Sequence, residues 1–191
     1  MKAAVAKRFR WTVDRYFRAS ELGLFGNRRV ELLNGEIIEV SSQAHPHRLS
    51  MSRLSRLLNA AFDPSRFWVV GQGTLVLSRF SAPDPDYHVF DVPEGTPDRQ
   101  LPMPFLVIEV SDTTYLKDSG PKSRLYASAG IPDYWIVNLQ QRRLEIYRNP
   151  ENSTGRRLDW RYAGVSHYSA GDVVTSLRYP KVAFPVDQIL P

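Results

Sequence analysis

The run Phe105-Leu-Val-Ile-Glu-Val110 constrains this chain more than any other segment. It is almost unbroken in apolar character, the pattern of a central strand covered on both faces. One carboxylate interrupts it. Neighbours along a strand point to opposite faces, so Ile108 and Val110 face one way and Glu109 the other. Burying a carboxylate is costly unless something pairs with it. Glu109 therefore faces a polar cleft, pairs with a cation, or lies on an exposed face of a half-buried strand.

The flanking sequence supplies partners for such a strand. Thr12 caps a short helix to about Ala19, with Val13, Tyr16 and Phe17 on one face. Residues 29–40 read as a hairpin turning at Asn34-Gly35, a strong two-residue turn signal. After Pro46 comes an amphipathic helix, with Leu54, Leu57, Leu58, Ala61 and Phe62 at helical spacing. Phe67–Val70, Thr74–Leu77 and Tyr87–Val92 read as strands, and 93–104 as a surface loop. A helix is expected from about Asp118 to Ala129, with Pro121 tolerated in its first turn, Leu125 and Tyr126 inward, and Gly130 beyond its end. Tyr134–Val137 and Leu144–Tyr147 are further strands, and 149–155 reads as a turn. Val173-Val174, Val182–Phe184 and Ile189-Leu190 read as edge pieces and a final turn. Strands on either side of a helix predict a mixed sheet with helices on it, an α/β (α+β mixed) fold in one domain over 1–191.

Composition narrows the chemistry. There is no cysteine, which excludes disulfides, zinc–thiolate sites and thiol nucleophiles. No apolar run reaches the roughly 18–20 residues that span a bilayer. The opening MKAAVAKRFRW starts like a signal peptide, but Lys7, Arg8 and Arg10 break its apolar stretch. The expectation is a soluble, cytoplasmic protein. Formal net charge is +5, carried by 20 Arg and 5 Lys, and guanidinium forks match phosphate geometry. Nucleic acid is thus a candidate partner, although many soluble proteins carry this charge without one.

Asp84 and Asp86 lie in Ala82-Pro-Asp-Pro-Asp-Tyr87, just before a strand, and form either a rigid surface turn or acids directed into a cleft. Lys122 follows Glu109 by one strand-to-helix connection, and the helix start can return it toward the strand end. Alone, a helix lysine is usually a solvated charge. Together the three suit phosphodiester hydrolysis, which needs a hard cation on oxygen ligands and a nearby ammonium. The Gly71-Gln-Gly segment lacks the third glycine of a dinucleotide loop, and neither a His-Glu-x-x-His pair nor a Gly-x-Ser-x-Gly elbow occurs. Tyr134-Trp135 reads as core rather than as a base-stacking platform.

In order, the chain carries Arg29-Val-Glu-Leu-Leu-Asn-Gly-Glu-Ile37, His47 before a helix, Gln72, Pro85-Asp86, Leu106–Val110, Asp118-Ser-Gly-Pro-Lys122, Tyr126 and Ala129-Gly-Ile-Pro-Asp-Tyr-Trp-Ile-Val137. This set resembles the Uma-two family of restriction endonucleases, within the PD-(D/E)XK superfamily, from Thr12 to Leu190. The resemblance implies a restriction-endonuclease-like central mixed sheet flanked by helices, with an N-terminal helix and hairpin. It implies Mg²⁺ or Mn²⁺ on Asp86 and Glu109, with the Val110 carbonyl as a further ligand, Lys122 as the catalytic lysine and Glu31 as a supporting acid. In the superfamily the lysine usually stands two residues after the acid; here that place is Ser111, so the role falls to the helix. The loop after the central strand departs from the family's Ser-Pro-Ser-Thr and reads Ser111-Asp-Thr-Thr114, adding Asp112. The resemblance implies a metal-dependent endonuclease acting on DNA and a homodimer; the alternative is a catalytically silent module that binds nucleic acid or a protein. Arg48, Arg53 and Arg56, with His47 and Gln72, are candidate phosphate contacts; a solvated helix face is the plainer reading.

Overall fold

A computed structural model describes residues 8–40, 44–156 and 159–191. The start of the N-terminal stretch, 1–7, lies outside the described residues. Helix α1 (Val13–Glu21) begins at Thr12, whose hydroxyl accepts from the Arg15 N–H at 3.4 Å. Val13, Tyr16 and Ala19 are buried, whereas Phe17, expected to join them, is exposed. Ala19 shifts the buried stripe, and Phe17 stands roughly 100° round the helix from its centre.

Strands β1 (Val30–Leu33) and β2 (Glu36–Glu39) form the hairpin. Asn34 and Gly35 both have positive φ, 52° and 82°, as the tight turn requires. A Cβ at Gly35 would meet the Arg10 Cβ at 2.9 Å, so glycine is needed there on two counts. Helix α2 (His45–Ala61) holds Pro46 in its first turn and buries Leu54 and Leu58 completely.

The main sheet has six strands in the order β3-β4-β5-β6-β7-β8: Trp68–Gly71, Tyr87–Phe90, Leu106–Ser111, Asp133–Asn138, Arg143–Asn152 and Trp160–Tyr168. Only β5 and β6 run parallel, and the rest of the sheet is antiparallel. The apolar run 106–110 is central and buried throughout, as its composition predicts. Its connection to β6 passes through α3 (Tyr115–Lys117), a π-helical turn (Asp118–Lys122) and α4 (Ser123–Ser128), with Gly130 at φ 75° just beyond. A last pair, β9 (Val173–Thr175) and β10 (Ala183–Pro185), lies outside the sheet. No described helix is long and apolar enough to cross a membrane.

Three local expectations change. Residues 74–77 form no regular strand; their N–H groups reach single carbonyls, Leu75 to Pro83 and Leu77 to Ser81. The helix expected from Asp118 begins at Tyr115, and Pro121 sits in the π turn rather than in a first turn. Proline lacks the N–H that a regular turn would demand, and the wider turn accommodates it. The segment 149–155 is not a free turn: β7 continues to Asn152 against β8, a strand that the polar sequence around it conceals. The ladder keeps one register on both sides of Asn149, whose φ is 59°.

Two apolar layers flank the sheet. On one face α2 and the C-terminal residues Phe184, Val186 and Ile189 pack on Leu106, Ile108, Trp135 and Val137. On the other, Tyr126, Ala127 and Ile131 pack on Val107, Tyr134 and Ile136. His88 belongs to this second side, its ring edge-on to Phe90 at 5.2 Å. Burial pushes its imidazole down from 6.5 to about 4. A base whose folded value is depressed is stable when neutral, so stability is complete above pH 6.5 and is lost as pH falls toward 4. This residue alone should cost about 3 kcal/mol between pH 7 and pH 4. Urea titrations across that range should show a shallower decline for His88→Phe than for the parent, and equal slopes would remove the assignment.

Candidate active site

Six acids and two lysines converge where β4 and β5 meet the π turn. The approach to β4 is stiffened by Pro83 and Pro85, and the Asp86 carbonyl accepts from the Gln72 N–H at 3.0 Å. Continuing the β4–β5 register by one residue sets Asp86 opposite Glu109. Asp86 Oδ2 accepts from the Val110 N–H at 2.8 Å and contacts His47 Nε2 at 3.1 Å. Pocket walls formed by these groups enclose about 120 Å³, with Glu31, Asp84, Asp86, Glu109, Asp118 and Lys122 among them.

The hairpin delivers Glu31. Leu32 and Ala82 exchange backbone hydrogen bonds at 3.3 and 2.8 Å, tying β1 to the segment before Asp86. Glu31 Oε1 accepts from the Asp84 N–H at 3.2 Å and from Lys122 Nζ at 2.9 Å, and its Oε2 from Lys117 Nζ at 3.2 Å. Lys122 also reaches Glu109 Oε1 at 2.6 Å, and the Tyr126 hydroxyl donates to that oxygen at 2.6 Å. The π turn brings both Asp118 and Lys122 inward; each is almost fully buried. Asp118 Oδ2 accepts from the hydroxyls of Ser111 and Thr114, both at 2.6 Å.

Charge around Lys122 is lopsided. Burial opposes its charge, but Glu109, Glu31 and Asp118 more than restore it and hold the ammonium above the ordinary lysine range. Burial raises Glu109 to about 8 against the pull of Lys122, with Asp118, Asp86 and Glu31 adding to the rise. The two tendencies compete at the 2.6 Å contact. Several acids around one ammonium keep Lys122 charged, and Glu109 bears the cost by holding its proton more tightly than a solvated glutamate. Burial likewise raises Asp84 and Asp118. For Glu31 burial is outweighed by Lys122 and Lys117, and its carboxyl is held below the usual range.

Asp86, Glu109, Lys122, Glu31 and Val110 thus all line one pocket, and His47, read from sequence as a phosphate contact beside Arg48, Arg53, Arg56 and Gln72, lines it as well. Asp112 lines it too, half-buried. Lys117, Asp118 and the hydroxyl of Tyr126 complete it. Sequence reasoning assigned these three no role at the site: Asp118 and Tyr126 entered only as parts of the family pattern and of a helix, and Lys117 reads as a solvated charge. Arg48, Arg56 and Gln72 line an adjoining open groove. Arg53 does not join them: its guanidinium bonds to the carbonyl of Leu190, and it serves to hold the C-terminal segment. One residue step of about 100° round α2 separates it from its arginine neighbours' face.

The donor set fits a hard divalent cation in part. Asp86 and Glu109 are oxygen donors on one pocket, and buried polar atoms without a partner include His47 Nδ1, Asp84 Oδ1 and Asp118 Oδ1, all from pocket residues. Among the described residues, no group of three or more His, Asp or Glu is arranged to hold a metal by side chains alone. A cation here would use two carboxylates and a carbonyl, with water and phosphate filling the rest, as Mg²⁺ tolerates.

Comparisons agree with this frame. No curated protein matches the sequence. A crystal structure described as "a putative nuclease belonging to DUF820" from Anabaena variabilis is similar in fold, with a TM-score of 0.67 at 14% identity over 93% of this chain and 96% of that one. The type IIG restriction endonuclease BpuSI aligns over 59% of this chain and 12% of its own at 16% identity, with a TM-score of 0.35, too low to carry an argument. The family model "Uma2: Putative restriction endonuclease" matches residues 14–183, most of the chain. Together with the mixed sheet, its flanking helices and the N-terminal helix and hairpin, that match shows that the chain belongs to the Uma2 family, within the PD-(D/E)XK nuclease-fold superfamily.

Proposed function

We propose that this protein binds nucleic acid at the Asp86–Glu109 cleft and hydrolyses phosphodiester bonds there, in DNA, with Mg²⁺ or Mn²⁺. The observation that carries the reading is Lys122, buried between Glu109 and Glu31 at 2.6 and 2.9 Å in the pocket that Asp86 also lines. A buried cluster of this charge is expensive as mere scaffold, and perturbed titrating groups gathered in a cleft mark functional sites. Asp86, Glu109 and the Val110 carbonyl would hold the cation. The metal would neutralise charge developing on the phosphate and lower the pKa of a bound water. The protein's part is positioning. Lys122 holds an ammonium beside the acids, where it orients the attacking water or meets phosphate charge. Glu31 fixes that ammonium and is itself held by Lys117, Tyr126 orients Glu109, and His47 with the Val110 N–H orients Asp86. A homodimer would bring one such cleft to each strand of a duplex.

A second reading has its own observation. Glu109 already has Lys122 as its counter-ion, and no three-ligand metal group exists among the described residues. On this reading the fold binds nucleic acid or a protein partner without cutting. Supercoiled plasmid and single-stranded DNA, incubated with Mg²⁺, Mn²⁺ or EDTA, separate the two. Cleavage by the parent that requires metal and disappears in Asp86→Ala is the expected result. Folded parent protein that binds DNA but leaves it intact under every metal condition would establish the second reading.

A further inference from the structure

An open groove of about 490 Å³ lies between the surface of α2 and the end of β3, lined by Arg48, Ser52, Ser55, Arg56 and Gln72 with Tyr87. From this we infer that the groove is a track for the backbone of one nucleic-acid strand, holding consecutive phosphates at Arg56, Ser52 and Arg48 and leading the next into the acid pocket. The inference rests on the proposed function and specifies how its substrate is held.

Spacing is the first support. Arg48, Ser52 and Arg56 are all exposed and recur every four residues along one face of α2. The arginines stand about 12 Å apart along the helix axis with Ser52 midway, about 6 Å from each. That repeat suits successive phosphates of an extended strand, with a guanidinium at each end and a hydroxyl between. Charge is the second support. No acidic residue occurs anywhere in α2, and none of the groove's walls is acidic. A surface without acids beside a pocket crowded with them separates a phosphate-binding wall from a cation-binding one.

Continuity with the pocket is the third support. Arg48 follows His47, whose ring contacts Asp86 at 3.1 Å. On the other wall Gln72, at φ 54°, donates its N–H to the Asp86 carbonyl at 3.0 Å. The near end of the groove therefore adjoins the candidate metal acid, through Gln72 on one wall and through Arg48, next in chain to His47, on the other. The groove's apolar floor is held by the Tyr87 hydroxyl, which donates to the Met51 carbonyl at 2.8 Å. Every group on the track reads backbone rather than base, so binding by it carries no sequence preference.

The test is fluorescence anisotropy of the full chain with a labelled single-stranded 20-mer and its duplex, in Ca²⁺ and in EDTA, over a range of salt. Arg48→Ala and Arg56→Ala should each weaken binding about eightfold at 0.1 M salt and reduce the salt slope by about one. Ser52→Glu, which places a carboxylate on an exposed site in mid-track, should weaken it further. Arg161→Ala removes the same charge from β8 at the opposite edge of the sheet, where Arg161 pairs with Glu151, and should change affinity less than twofold. Equal losses for Arg161→Ala and Arg56→Ala would overturn the track, since only net charge would then matter. Cleavage assayed beside binding separates this from the catalytic proposal. Metal-dependent cutting that is unaffected in the two arginine variants overturns the track and leaves hydrolysis standing. Binding lost as expected, in a protein that never cuts, supports the track and overturns hydrolysis.

Discussion

Replacing Lys122 by methionine is expected to destabilise the protein by about 3–5 kcal/mol at pH 7, the cost of leaving buried charge uncompensated. Methionine approximates the length of the lysine stem and fills its space, so packing changes little. The ammonium is what disappears, and with it the partner of Glu109 Oε1 at 2.6 Å and of Glu31 Oε1 at 2.9 Å. Lys117 reaches only the other oxygen of Glu31, and its side chain is part-exposed. Without Lys122 both carboxyls bind protons more tightly when folded than when unfolded. Acids whose folded values are raised favour the native state below the unfolded carboxylate range and disfavour it above. The deficit should therefore be smallest near pH 4 and grow as pH rises through 7 toward the raised folded values, as urea denaturation at pH 4 and pH 7 would show. Glu31→Gln in the same chain should return part of the loss, giving a coupling energy above about 1 kcal/mol. A Lys122→Met variant within 1 kcal/mol of the parent at pH 7 would mean that this ion cluster does not hold the cleft together.

Glu109→Gln is expected to separate activity from stability. Glutamine keeps the shape and an oxygen that accepts from the Tyr126 hydroxyl and Lys122, so melting should move only slightly. Removing a carboxyl that burial already raises to about 8 offsets part of what Lys122 loses. What disappears is an anionic donor for the cation. Metal-dependent cleavage should fall by about a thousandfold or more, corresponding to the several kcal/mol that a Lewis acid contributes. Mn²⁺ affinity, followed by calorimetry on the same protein, should fall with it. A variant that cuts and binds Mn²⁺ like the parent would remove Glu109 from the metal site, whereas one that fails to fold would leave Mn²⁺ binding by Asp86→Asn as the deciding measurement.

Residue order alone carried the central strand, the hairpin, the long helix and the location of the acids. Each is a local statement. A run of apolar residues needs cover on both faces, Asn34-Gly35 supplies the two positive φ angles of a tight turn, and the carboxylate of Glu109 stands out because its neighbours are apolar. Three kinds of feature depended on tertiary structure. Strand β8 is polar along much of its length because it lies at a sheet edge, so periodicity carries little signal there and pairing with β7 defines it. The π turn answers a conflict between Pro121 and the inward placement of Asp118 and Lys122, which no propensity scale records. Arg48, Arg53 and Arg56 are alike in sequence, yet one is committed to the C-terminal carbonyls and two line a groove, because about 100° around a helix decides what a long side chain reaches. Asp118 was not legible as a candidate, whereas Asp86, Glu109, Glu31 and Lys122 were, residue by residue. Their energetics were not, since the strength of a charge depends on the distance to its partners and on the water that folding removes.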